Sequence, residues 1–271
     1  MKVAAIQMVS AVAREANLSR AHALLLEAAA AGAELAVLPE YFCMMGLRDG
    51  DKLALREAAG AGVVQDFLAE TARELGLWIV GGTLPVKAAD ELHVYNSSFA
   101  YAPTGEQVAR YDKIHLFLFD NGRERYDEGR VIAPGHTPVL FDLPSRDGHR
   151  WRVGMSVCYD LRFPELYRAL AGQGADLLLV PSAFTRVTGA AHWETLLRAR
   201  AIENLSWVMA PAQGGTHENG RQTWGQTLIA DPWGAVVAQQ AQGEAVVLAD
   251  IDAAQTARCR AQLPALTHRV L

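Results

Sequence analysis

Three residues of this 271-residue chain combine the side-chain types that cleave carbonyl compounds through a covalent intermediate. Cys158 closes the apolar run Val153-Gly154-Met155-Ser156-Val157, and a helix-like stretch, Pro164 to Ala171, begins soon after it. A strand that turns into a helix in this way exposes one side chain above a sheet edge, close to free backbone N–H groups. A thiol of ordinary pKa, about 8.5, is only a few per cent ionised at neutral pH, so a nucleophilic cysteine needs a base and a cation. Glu40, directly after Leu38-Pro39 at another strand end, offers the base. Lys113, in Tyr111-Asp112-Lys113-Ile114-His115-Leu116, offers the cation, with apolar neighbours that can desolvate it. Each residue taken singly also has a plainer reading: a buried structural thiol, a solvated surface acid and a lysine whose stem covers apolar surface.

Other chemistries find less support. Gly154-Met155-Ser156-Val157-Cys158 lacks the last glycine of G-x-S-x-G, no dinucleotide or P-loop glycine pattern is present, and the eight histidines include no H-E-x-x-H. Neither a metal nor an organic cofactor is implied. Cys43, Cys158 and Cys259 form no C-x-x-C pair, which argues against a disulfide scaffold or zinc ribbon and for a reducing compartment. A net charge of −5 disfavours nucleic acid as a partner. Lys2 and Ala11-Val12-Ala13 imitate a signal peptide, but Gln7 and Ser10 interrupt the run, and Val3 to Met8 reads as a first buried strand. Glu27 and Glu34 break the alanine-rich stretch well short of a membrane span. A soluble, cytoplasmic protein is expected.

Elements that could bring Glu40, Lys113 and Cys158 together alternate along the chain. A strand at about 2–8 precedes a helix beginning near Asn17, whose amide can cap it, and running to Gly32. Leu35-Ala36-Val37-Leu38 is a short buried strand stopped by Pro39. A helix around 62–75 ends at Gly76 and leads into Leu77-Trp78-Ile79-Val80. Val94 to Ala102 and Gln107 to Tyr111 flank Pro103-Thr104-Gly105 as a hairpin. The stretch 117–136 reads as irregular, and strands on either side of Ser145 to His149 follow, the second being Arg152 to Val157. Gly32-Ala33-Glu34-Leu35-Ala36-Val37-Leu38-Pro39-Glu40-Tyr41-Phe42 matches Gly174-Ala175-Asp176-Leu177-Leu178-Leu179-Val180-Pro181-Ser182-Ala183-Phe184 in residue class. That match predicts two related α/β halves packed together. No linker-like segment parts them, so one domain is expected over residues 1–271.

Leu38-Pro39-Glu40-Tyr41-Phe42, then Tyr111-Asp112-Lys113-Ile114-His115-Leu116-Phe117, then Cys158-Tyr159-Asp160-Leu161-Arg162-Phe163-Pro164-Glu165 resemble, in that order, the glutamate, lysine and cysteine motifs of the nitrilase superfamily of carbon–nitrogen hydrolases. The resemblance covers essentially the whole chain. It implies an α/β fold of the four-layer αββα sandwich type, a homodimer formed through helices after Cys158 and the C-terminal segment, and a small-molecule amide as substrate. By the same resemblance Cys158 forms a thioester, Glu40 relays its proton, and Lys113 holds the oxyanion with a backbone N–H near Tyr159. Glu128, in Glu128-Gly129-Arg130-Val131, falls where the family commonly carries a second carboxylate, which would orient Lys113 or the substrate amide.

Later segments, among them Pro181-Ser182-Ala183-Phe184, Ala191-His192-Trp193-Glu194 and Asp231-Pro232-Trp233-Gly234, resemble Nit-type amidases. Ala212-Gln213-Gly214-Gly215-Thr216-His217 tilts the resemblance toward amidases of deaminated glutathione and away from ω-amidases of 2-oxoglutaramate. Leu118 to Tyr126 departs from the animal pattern. Both candidate substrates are anionic and need a cation, for which Arg186 and Arg221 are expected from their loop-like positions. Arg162, Arg198 and Arg200 are expected in helix salt bridges. His192 is expected to serve a helix start or a substrate contact, and Cys43 and Cys259 to be bystanders.

Overall fold

A computed structural model describes residues 1–270. Lys2–Gln7 (β1), Leu35–Val37 (β2) and Trp78–Val80 (β3) lie parallel, side by side. They are linked by Arg14–Ala30 (α1), a single turn at Asp51–Ala54 (α2) and Val63–Leu75 (α3). Leu84–Lys87 (β4), Val94–Tyr101 (β5) and Gln107–Asp112 (β6) extend this sheet in antiparallel fashion, with β5 paired to β3, β4 and β6. Leu118–Asp120 (β7) and Arg125–Asp127 (β8) pair only with each other.

The second sheet runs from Val139–Pro144 (β9) and Arg150–Met155 (β10) through the parallel strands Leu177–Leu179 (β11) and Trp207–Ala210 (β12) to Thr227–Ala230 (β13) and Val236–Gln240 (β14). Pro164–Gly172 (α4) and Arg186–Asn204 (α5) connect its parallel strands. Ala245–Asp250 (β15) then returns to the first sheet and pairs antiparallel with β1, ahead of Ala253–Gln262 (α6). The matched segments therefore occupy equivalent places: β2 lies between β1 and β3, and β11 between β10 and β12.

Strand periodicity sets the layers. Val3, Ala5, Leu35 and Val37 share a core with Val153, Met155, Leu177 and Leu179 of the facing sheet. The alternate residues Ala4, Ile6, Ala36 and Leu38 pack instead with Leu24 and Leu25 of α1 and Leu68 and Ala72 of α3. On the far side α4 closes on β10 where the side chain is missing: a Cβ at Gly154 would lie 3.2 Å from both Leu170 and Leu178. The result is an αββα sandwich. Among the described residues no helix is long and apolar enough to cross a membrane.

Two local expectations are corrected. The first helix starts at Arg14, and Asn17 lies inside it. Its buried amide does not cap; it accepts from the Ala11 N–H at 2.7 Å and donates to the carbonyls of Ala11 and Cys43, tying two loops that would otherwise hold unpaired backbone groups. The stretch after Phe117, read as irregular, contains the β7–β8 hairpin. Its signal was Asn121-Gly122 between two short strands, with Gly122 at a φ of +79°.

The strand end that carries Glu40 rests on the backbone of Gly82. That glycine has a φ of +46°, and a Cβ there would sit 2.0 Å from the Pro39 carbonyl oxygen. Gly82→Ala combines a disfavoured backbone with a clash against main chain, so a loss of about 3 kcal/mol or more in unfolding free energy is expected. Urea denaturation measures it, and an unchanged midpoint would mean that Pro39 can move aside without loss.

Candidate active site

Glu40 leaves β2 after Leu38-Pro39, and the next residue, Tyr41, turns the chain with a φ of +57°. The carboxylate is 1% exposed and fully engaged. Oε1 accepts from Lys113 Nζ and from Asn96 Nδ2, both at 2.9 Å, and Oε2 accepts from the Ala183 N–H at 2.9 Å. Ala183 belongs to the matched segment after β11, so the two related strand ends meet at this hydrogen bond. The Glu40 carbonyl is held in turn by Gln213 Nε2 at 3.0 Å.

Lys113 follows β6 and its ammonium is wholly buried between two carboxylates. Besides Glu40, Nζ reaches both oxygens of Glu128, at 3.0 and 2.8 Å. Glu128 is placed by the β7–β8 hairpin. Its N–H donates to the Phe117 carbonyl at 3.0 Å, while its Oε2 accepts from the Phe117 N–H at 2.7 Å and its Oε1 from Tyr41 Oη at 3.0 Å. Burial alone would push the lysine pKa down and the Glu128 pKa up. Their mutual attraction, with Glu40 added on the lysine, outweighs it, so Lys113 is raised and Glu128 lowered. Both groups are therefore charged at neutral pH.

Cys158 stands one turn beyond β10, with a φ of +50°. Such a conformation stores on the order of 1–3 kcal/mol in a residue with a side chain, and the neighbours over-determine it. The Cys158 N–H donates to the Pro181 carbonyl at 3.0 Å, Asp160 Oδ2 accepts from the Val157 N–H at 2.8 Å, and the buried Arg200 donates to the Leu161 carbonyl at 2.7 Å. Asp160 also ties this turn to the lysine segment. It accepts from Tyr111 Oη at 2.6 Å and the His115 N–H at 3.0 Å, and lies 2.7 Å from His115 Nδ1, while the His115 ring stacks on Phe163.

The thiol sits in a locally negative setting. Burial first, then the charge of Glu40, raise the Cys158 pKa well above its ordinary value; Lys113 pulls against them, and Glu128 adds a smaller push upward. The resting group is a neutral thiol. Glu40 and Cys158 line one pocket, together with Glu128, Phe117, Tyr159 and Ala183.

Arg221 reaches this pocket and Arg186 does not. Arg221 Nη2 donates to the Ala183 carbonyl at 2.7 Å, and its guanidinium lies over the Tyr126 ring of the hairpin at 5.3 Å. Arg186 opens α5 at the surface, where Nη1 donates to Gln222 at 3.3 Å. His192 also lies outside the pocket, 3.2 Å from Arg162 Nη1. Arg162 corrects its expectation. Arg198 and Arg200 pair with Glu194 and Glu203 along α5, but Arg162 lines the pocket, flanked by the faces of Tyr159 and Phe184. Asn96, Tyr41 and Asp160 were missed as contributors. Asn96 carried a signal, a polar side chain within the strand Val94–Tyr101, where the buried positions should be apolar. Cys43 and Cys259 are buried free thiols that do not line the pocket.

The carbon-nitrogen hydrolase family model matches residues 2–261. The chain belongs to this family. A deaminated glutathione amidase of Synechocystis is 40% identical over 270 residues, 98% of this chain and 97% of the relative. An omega-amidase of Xenopus laevis is 34% identical over 99% of this chain and 94% of its own length. The crystal structure of the C. elegans NitFhit protein superimposes with a TM-score of 0.89 at 36% identity, covering 99% of this chain and 65% of that longer one. In this family member the Cys158 pKa is raised although the buried Lys113 ammonium lies nearby. Thiolate absorbance near 240 nm, taken as wild type minus Cys158→Ala, should show no ionisation step up to about pH 8.5, where an ordinary cysteine is half ionised. A step near neutral pH would contradict the electrostatic assignment.

Proposed function

We propose that this carbon–nitrogen hydrolase is a cytoplasmic, homodimeric amidase of deaminated glutathione, working through a thioester on Cys158. The observation that carries the reading is the pocket itself: Cys158 and Glu40 share it with two guanidinium groups, Arg162 and Arg221, which suit an anionic substrate. The order of identities, 40% to the deaminated glutathione amidase against 34% to the omega-amidase, favours that substrate over 2-oxoglutaramate. Exposed apolar side chains on the helices after Cys158, among them Ile202 of α5, support the homodimer expected through those helices and the C-terminal segment.

In the proposed cycle Glu40 takes the thiol proton as sulfur attacks the amide carbon. Lys113, whose Nζ lies 3.0 and 2.8 Å from the two Glu128 oxygens, turns one N–H from Glu128 to the oxyanion as that charge develops. Removing one such donor typically costs about 2.7–4 kcal/mol of transition-state stabilisation. Glu40 returns the proton to the departing nitrogen, and the C–N bond breaks. Water, deprotonated by Glu40, then attacks the thioester, releases the 2-oxo acid and restores the thiol. Lys113 keeps its proton throughout, since two carboxylates hold it.

Deaminated glutathione and 2-oxoglutaramate carry the same 2-oxoglutaryl group and differ only in what departs, cysteinylglycine or ammonia. Binding energy from the dipeptide can orient the amide for attack, so kcat/KM should be about tenfold or more higher for deaminated glutathione. Steady-state rates of 2-oxoglutarate release from both substrates decide the matter. Equal or faster turnover of 2-oxoglutaramate would replace this reading with an ω-amidase.

A further inference from the structure

Beyond Arg221 the pocket adjoins a second, wider cleft of about 470 Å³, within the usual size of small-ligand sites. Arg48, Lys52 and Arg221 line it against a single carboxylate, Asp49. Three cations at one place are notable in a chain of net charge −5. Lys52 Nζ is held over the Tyr41 ring at 5.3 Å and lies 3.4 Å from Oδ1 of the exposed Asp49, whose charge water screens. Arg221 Nε is buried without a hydrogen-bond partner at the boundary between the two spaces.

In the proposed cycle the leaving nitrogen lies on the Glu40 side of the pocket, and the cleft opens from that pocket at the shared Arg221. Glu40 delivers a proton to the departing nitrogen, so that nitrogen sits against Glu40, and the very next residue, Tyr41, forms the cleft wall. Arg162, Phe184, Thr185 and Thr188 line only the other space, next to Cys158. The acyl group bonded to sulfur belongs there. A substrate with one carboxylate on each side of its scissile amide thus finds cations at both ends.

We propose that the Arg48–Lys52 cleft is the leaving-group subsite, which binds the terminal carboxylate of a departing dipeptide. This rests on the deaminated-glutathione reading and explains which part of the protein makes the choice. The acyl group is common to both candidate substrates, so discrimination arises on the leaving-group side. Lys52 and Arg48 make that choice by charge, and Arg221 stands at the threshold with an N–H to spare.

The test compares deaminated glutathione with its C-terminal amide, which removes only the distal charge, on the wild type and on the Arg48→Ala/Lys52→Ala variant. The ratio of the two kcat/KM values is read on one enzyme sample, so any misfolded fraction cancels. The wild type should prefer the free carboxylate by about tenfold, the scale of a charge-assisted contact in a partly solvated cleft, and the variant should bring the ratio close to one. A wild-type ratio near one, or a ratio unchanged in the variant, overturns the subsite and leaves the substrate reading standing. Cleavage of 2-oxoglutaramate with neither dipeptide amide hydrolysed overturns both.

Discussion

A wholly buried ammonium is the constraint on which the rest of the site depends. Taking Lys113 out of water costs several kcal/mol, and only close, well-oriented carboxylates offset such a penalty. Glu40 and Glu128 supply them from segments 73 and 15 residues away. Each carboxylate is held in turn by donors from further elements: Asn96 and the Ala183 N–H on Glu40, Tyr41 and the Phe117 N–H on Glu128. The ion triad therefore fixes the relative positions of β2, β6, the β7–β8 hairpin and the segment after β11. Burial and the nearby carboxylates of Glu40 and Glu128 together raise the Cys158 pKa against the pull of Lys113.

Strain and its restraint follow from the same arrangement. Tyr41 and Cys158 both adopt a positive φ just past strand ends, which turns their neighbours, Glu40 and the thiol, toward a common space. A strained turn persists only when its surroundings leave it no alternative. Asp160 provides much of that restraint, because its two oxygens serve the cysteine turn and the lysine segment together. The Cys158 turn and the Lys113 segment are thus tied by one buried side chain, and neither can shift without exposing unpaired donors.

Much of this was legible in the sequence, for physical reasons. Apolar runs ending in proline or a turn mark buried strands, so the places of Glu40 and Cys158 at strand ends could be read directly, and the matched glycine-to-proline segments revealed the doubled architecture. Features set by tertiary partners were not legible. Asn17 looks like a helix cap because its spacing is right, yet its amide is used by two loops that only the fold brings near. Arg162 reads as a helix salt bridge until the pocket forms around it. The hairpin at Leu118–Asp127 is too short and too exposed for periodicity, and its turn dipeptide was the sole clue.

The most direct measurement of the central claim, that Cys158 carries the acyl group while Glu40 moves its proton, is intact-mass analysis of rapidly quenched enzyme during turnover. Deaminated glutathione and 2-oxoglutaramate would leave the same 2-oxoglutaryl group on sulfur, so the result does not depend on which is preferred. The account predicts one adduct of that mass, mapped to Cys158 and absent from an inactive Cys158→Ala protein. No adduct at any quench time, together with turnover retained by Cys158→Ala, would contradict it.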